Sequence, residues 1–146
     1  MSHTHLLYHI VFATKDRAPL IKPAWESELF SYLAGIVKTR GGSSLEINGD
    51  VDHAHLLLRL TPKEALSDFM RELKASSSRF VRQRFDPKFS WQRRYGAFTV
   101  SESGAEAVRK YIRNQKEHYR KQSFEDEYKA LLAKHSIEFD AKYLWD

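Results

Sequence analysis

The sequence predicts an α+β fold: one antiparallel sheet with two helices on one face, and additional helices at the C-terminal end. Three observations carry that expectation. Short runs rich in aromatic and β-branched residues alternate with longer segments whose apolar residues recur at helical spacing. Their order is β-α-β-β-α-β followed by two helices, the order of a ferredoxin-like (RRM-like) split βαβ layer. No internal repeat or Pro/Gly-rich linker divides the 146 residues. A single domain over 1–146 is expected, with a core at about 5–122 and a helical extension at about 123–146.

Each element has a local reason. Leu6 to Thr14 (LLYHIVFAT) is a strand by composition. Pro23 suits a helix's first turn, Trp25, Leu29, Leu33 and Ile36 form one apolar stripe, and Gly41-Gly42 end that helix. Ser44 to Asn48 and Asp52 to Leu60 are two strands, with Asn48-Gly49-Asp50 as the turn between them. Leu66, Phe69, Met70, Leu73, Phe80 and Val81 mark the buried side of a second helix beginning near Lys63. Tyr95 to Ser101 is the fourth strand. A third helix is expected from Ser103 to about Gln122 and a fourth from Ser123 to His135, with Ser103 and Ser123 as N-caps. Ile137, Phe139, Leu144 and Trp145 are too apolar for a free end and are expected to pack on the domain or on a partner.

Composition narrows the function classes. Cysteine is absent, which excludes disulfides, thiolate nucleophiles and Cys-ligated metal sites. No stretch approaches the ~18 apolar residues that cross a bilayer, so no membrane partner is expected. The net charge is +5, and it is unevenly placed. Arg71 to Arg94 holds eight bases against Glu72 and Asp86, whereas the tail from Ser123 holds six acids against three bases. A basic middle with an acidic end fits a nucleic-acid binder whose tail is solvated. Arg71, Lys74, Ser78 and Arg82 fall on one helical stripe, and Trp91, Arg93, Arg94 and Tyr95 mix rings with cations. Both groups suit unpaired DNA, although Trp91 is equally a core residue by type.

Two constellations carry chemistry. On the strand Asp52 to Leu60, alternation puts Ala54, Leu56, Leu58 and Leu60 on one face and His53 and His55 together on the other. Two imidazoles so placed can converge on a divalent cation. The same pair also fits two hydrogen-bonded histidines at a strand start. His3, His5 and His9 read as packing or exposed residues. In the third helix, Tyr111 and Gln115 are one turn apart. If that face meets the histidines, the Gln115 amide oxygen is a third ligand and Tyr111 a nucleophile beside the metal. Tyr119 is the rival nucleophile.

Four segments in order, YHIVFATKDR (Tyr8 to Arg17), DHAHLLL (Asp52 to Leu58), YGAFTVSES (Tyr95 to Ser103) and VRKYIRNQ (Val108 to Gln115), resemble the single-tyrosine HUH transposases of the insertion-sequence 200/605 type. The tail is similar to that of a subgroup containing REP-associated, stand-alone proteins. The resemblance implies Mg²⁺ or Mn²⁺ held by His53, His55 and Gln115. It also implies attack by Tyr111 on single-stranded DNA near a hairpin, giving a 5′-phosphotyrosine, a free 3′-hydroxyl and then strand transfer. A homodimer is implied as well; the absence of cysteine points to the cytoplasm, with nucleoid association expected when the protein is bound to DNA. Ala54 departs from the usual Val between the histidines, on the buried face. A domesticated hairpin-cleaving relative and a catalytically silent hairpin-binding module remain open alternatives.

Overall fold

The computed structural model describes residues 2–145. Strands β1 (Leu6–Ala13), β2 (Ser43–Asp50), β3 (His53–Leu60) and β4 (Gly96–Val100) form one sheet in the order β2-β3-β1-β4, with every neighbouring pair antiparallel. Helices α1 (Glu26–Thr39) and α2 (Leu66–Arg84) cover one face. Alternation along β3 turns Ala54, Leu56 and Leu58 into the main core beneath them, with Ile10 and Phe12 of β1, Leu29 and Leu33 of α1, and Phe69 and Leu73 of α2. The expected α+β arrangement is therefore the one found.

The opposite face is covered by α3 (Ala105–Arg113), α4 (Gln115–Lys121) and α5 (Phe124–Lys134). A smaller cluster, with Val11, Ala13, Phe98, Phe124, Tyr128, Leu132 and Leu144, packs there. No helix among the described residues is long and apolar enough to cross a membrane.

Four expectations are corrected. The expected third helix is interrupted at Asn114 (φ −94°, ψ 19°), so Tyr111 ends one helix and Gln115 begins the next. The Asn48 side chain donates to the Ile112 and Arg113 carbonyls at 3.1 Å each, satisfying groups that a helix end leaves free. Ser103 is not the cap there; the Ser101 side chain accepts from the Gly104 N–H, whereas Ser123 caps α5 as expected. Of the apolar tail residues, Leu144 is buried and Trp145 packs on Phe124 and Tyr128, but Ile137 and Phe139 are exposed on this chain, which corrects their packing on the domain and leaves only a partner to cover them.

The fourth correction concerns the hairpin. Asn48 and Gly49 lie inside β2, opposite His55 and Ala54, and the chain turns at Val51-Asp52. Gly49 is needed for close approach rather than for turning, since a Cβ there would lie 2.1 Å from the His53 carbonyl oxygen. Gly49→Ala is expected to force β2 from β3 and to destabilise the protein by about 1–3 kcal/mol, the range for overpacking a tight site. Chemical denaturation checks it; an unchanged midpoint would mean that the hairpin relaxes freely.

Candidate metal and nucleophile site

The polar centre sits where β3 faces α3, α4 and α5. His53 and His55 occupy the inner strand β3, hydrogen-bonded on both sides, and both are fully buried. Each ring has one nitrogen engaged from behind. His53 Nδ1 meets Asp52 Oδ1 at 2.7 Å, and His55 Nδ1 meets His9 Nε2 at 2.8 Å. Both Nε2 atoms therefore face the same space, because a partner on one ring nitrogen fixes the orientation of the other.

Gln115 and Glu127 close that space. Gln115 Oε1 lies 2.9 Å from His53 Nε2, and its Nε2 donates to Glu127 Oε2 at 3.2 Å. Glu127 Oε1 is 3.0 Å from His55 Nε2 and 3.7 Å from His53 Nε2. The Tyr111 hydroxyl donates to Glu127 Oε2, and His118 Nε2 lies 3.1 Å from it. The fold brings Tyr111, His53, His55 and Gln115 together. It does so across a helix interruption rather than on one helical face.

Glu127 was not foreseen. The tail's acids read as a solvated end, but this carboxylate is only 3% exposed. The signal that could have found it is the stripe Phe124, Glu127, Tyr128, Leu131 and Leu132 at helical spacing, a single acid on an apolar face. Phe124 stacks on His53 (centroids 4.2 Å apart, planes 13° apart), so α5 is seated directly on the site. His9, expected as a packing or exposed residue, is buried and supports His55.

Burial sets the charge states. It lowers His9 to about 3, with neighbouring His55 adding to the effect. It lowers His55 to about 4, against the opposing influence of Glu127. Burial alone would raise Glu127, but the hydrogen bonds from His55 and Tyr111 outweigh it and hold the carboxyl at about 2. The Tyr111 phenol is pushed well above its ordinary value, first by burial and then by the Glu127 carboxylate. Tyr119 lies elsewhere, donating to Asp52 Oδ2 at 3.1 Å behind His53, and is pushed up to about 12 by burial and by Asp52.

The donor set fits a divalent cation. A carboxylate only accepts, so the His53 Nδ1–H donates to Asp52, and when the ring is neutral Nε2 carries a lone pair. That lone pair faces the Gln115 oxygen, whose amide is oriented by its bond to Glu127. Two facing acceptors are reconciled by a cation shared between them. Buried His53, His55 and Glu127 each offer a ligand atom, all within 4.8 Å of one another. Beside this centre a cavity of about 480 Å³ is lined by His9, Phe98, Val108, Tyr111, His118 and Leu131, among others.

The candidate DNA residues lie elsewhere, along α2 and the segment before β4. Arg71, Lys74, Ser78, Arg82 and Arg93 line one groove of about 480 Å³; Arg94 lines a neighbouring one. Lys74 is already engaged, its ammonium donating to the Gln92 and Arg94 carbonyls, and burial lowers it to about 8. Arg82 donates to the Phe89 carbonyl at 3.3 Å. Ser78 is buried. Trp91 is a core residue, its Nε1 donating to Ser77 Oγ at 2.8 Å.

The chain is similar to known proteins over most of its length. Residues 2–115 match the family model described as transposase, IS200 like. The chain is 31% identical over 117 residues to the ISDra2 transposase TnpA of Deinococcus radiodurans, covering 75% of this chain and 84% of that protein. It is 33% identical over 126 residues to the transposase for insertion sequence element IS200 of Salmonella typhimurium, covering 80% and 82%. A crystallised transposase candidate from Deinococcus radiodurans superposes with a TM-score of 0.64 at 30% identity, covering 78% of this chain and 93% of that one. A REP-associated tyrosine transposase bound to a REP hairpin shares the fold (TM-score 0.59, 13% identity, 78% and 70% covered).

Proposed function

From the premise that the chain belongs to the IS200-like transposase family, we propose that it is a metal-dependent, single-tyrosine nickase and strand transferase acting on single-stranded DNA near hairpins. One observation carries the reading: the Tyr111 hydroxyl, His53, His55 and Gln115 converge on one buried polar centre. His53, His55 and Gln115 would hold Mg²⁺ or Mn²⁺. When bound, such an ion supplies positive charge that polarises a phosphodiester and offsets charge on the leaving oxygen.

The chain's own residues do the rest. Tyr111 Oη forms the bond to phosphorus as the bond from phosphorus to the 3′ oxygen breaks, and the 3′ oxygen takes up a proton from solvent, giving a 5′-phosphotyrosine and a free 3′-hydroxyl. The phenolic proton already points at the Glu127 carboxylate, so an acceptor is in place. Asp52 and His9 keep the two imidazoles turned toward the centre. The adjacent cavity, with Phe98 and Val108 in its wall, is the route by which an unpaired strand reaches Tyr111. Arg71, Arg82, Arg93 and Arg94 contact the hairpin's phosphates, and Lys74 and Ser78 shape the groove that receives it. Homodimer assembly belongs to the same proposal.

The test uses labelled single-stranded hairpin DNA from the flanks of the coding sequence, incubated with the protein and Mn²⁺ or Mg²⁺. A covalent protein–DNA adduct on a denaturing gel, lost with chelator, is the expected result. Hairpin binding without an adduct under every metal tried would point to a silent binding module.

A further inference from the structure

We propose that Glu127 is itself a metal ligand, so that the C-terminal extension completes a His53–His55–Gln115–Glu127 donor set within one chain; the inference rests on the metal-dependent reading above. The family match ends at residue 115, and Glu127 arrives from beyond it on α5.

Three observations support the assignment. Glu127 Oε1 is 3.0 Å from one imidazole Nε2 and 3.7 Å from the other, the position of a donor sharing their cation. The carboxylate is nearly inaccessible, yet among the described residues no Lys or Arg forms an ion pair with it. Its hydrogen-bond donors Tyr111 and Gln115 carry no positive charge, and a divalent cation would supply one. Finally, α5 is fixed in place independently of that carboxylate. Ser123 caps the helix, Phe124 stacks on His53, and Tyr128 and Leu132 are buried beneath it. Two nitrogens, an amide oxygen and a carboxylate oxygen form a mixed set that first-row divalent ions, Mn²⁺ included, can occupy.

Calorimetric titration of the full chain with Mn²⁺ alone, without DNA, separates a ligand from an obstacle. If Glu127 is a ligand, Glu127→Gln weakens Mn²⁺ binding by at least about tenfold, as losses around metal sites do. Unchanged or tighter binding in Glu127→Gln overturns the inference, because the carboxylate would then be a bystander or a group that the ion displaces. A second readout needs no substitution and decides if the variant does not fold. Mn²⁺ should slow amide exchange across Phe124–Lys134 in the unaltered protein, and unchanged or faster exchange overturns the inference. His53→Ala serves as the reference. If it loses Mn²⁺ while Glu127→Gln does not, only the present inference fails. If the unaltered protein binds no Mn²⁺, the metal-dependent reading fails with it.

Discussion

Tyr111→Phe should reduce covalent adduct formation by at least about 1,000-fold, the scale seen when a nucleophile is removed, while hairpin binding stays at the level of the unaltered protein. The ring itself is held by edge contacts with His9, His55 and His118, at centroid distances of 6.0, 5.6 and 5.2 Å, all of which phenylalanine keeps. Only the hydroxyl is lost, and Glu127 retains His55, Gln115 and His118 as partners. The stability cost is therefore about 1.5–3 kcal/mol, the worth of a hydrogen bond to a charged group. Tyr119→Phe is the control, since Tyr119 bonds to Asp52 on the far side of His53. Adduct formation that survives Tyr111→Phe and disappears in Tyr119→Phe would transfer the nucleophile's role and reject the present assignment.

Acid should unfold the metal-free protein early. His9 and His55 titrate near 3 and 4 in the folded chain, against an ordinary value of 6.5. Below 6.5 the unfolded chain takes up these protons and the folded chain does not, so stability falls as the pH drops from about 6.5 toward 4. Glu127, held at about 2 against 4.5, extends the loss in the same direction at lower pH. At about 1.4 kcal/mol per pKa unit the histidines together account for several kcal/mol, a large share of a typical domain's stability. Urea denaturation in chelator at pH 7, 6 and 5 checks this, with the midpoint falling at each step. A flat midpoint from pH 7 to 5 would show that the two rings accept protons freely in the folded state.

Much of the fold was legible because its cause is local. Alternation along Asp52 to Leu60 separates the apolar residues from the histidines whatever else the chain does. The stripe of Trp25, Leu29 and Leu33 likewise marks α1 without reference to the sheet. The turn at Val51-Asp52 was missed because Asn48-Gly49 carries the stronger local signal. The strand uses its glycine for closeness to His53 and its asparagine to cap α3. The break at Asn114 depends on that same asparagine, which is distant in sequence. Glu127 escaped for the same reason: charge along the tail describes its composition, whereas burial of one acid follows from where α5 docks. Lys74 shows the limit in the other direction, since its position on a basic stripe does not reveal that two carbonyls hold its ammonium.

The two histidines stand on an inner strand, bonded to neighbours along both edges, whereas Tyr111, Gln115 and Glu127 arrive on three separate helices. Half of the centre thus stands on a sheet floor and the other half on three helices packed over it, each bringing one donor. A shift of any one helix would move one donor at a time, and the histidines are the fixed reference against which that shift is measured.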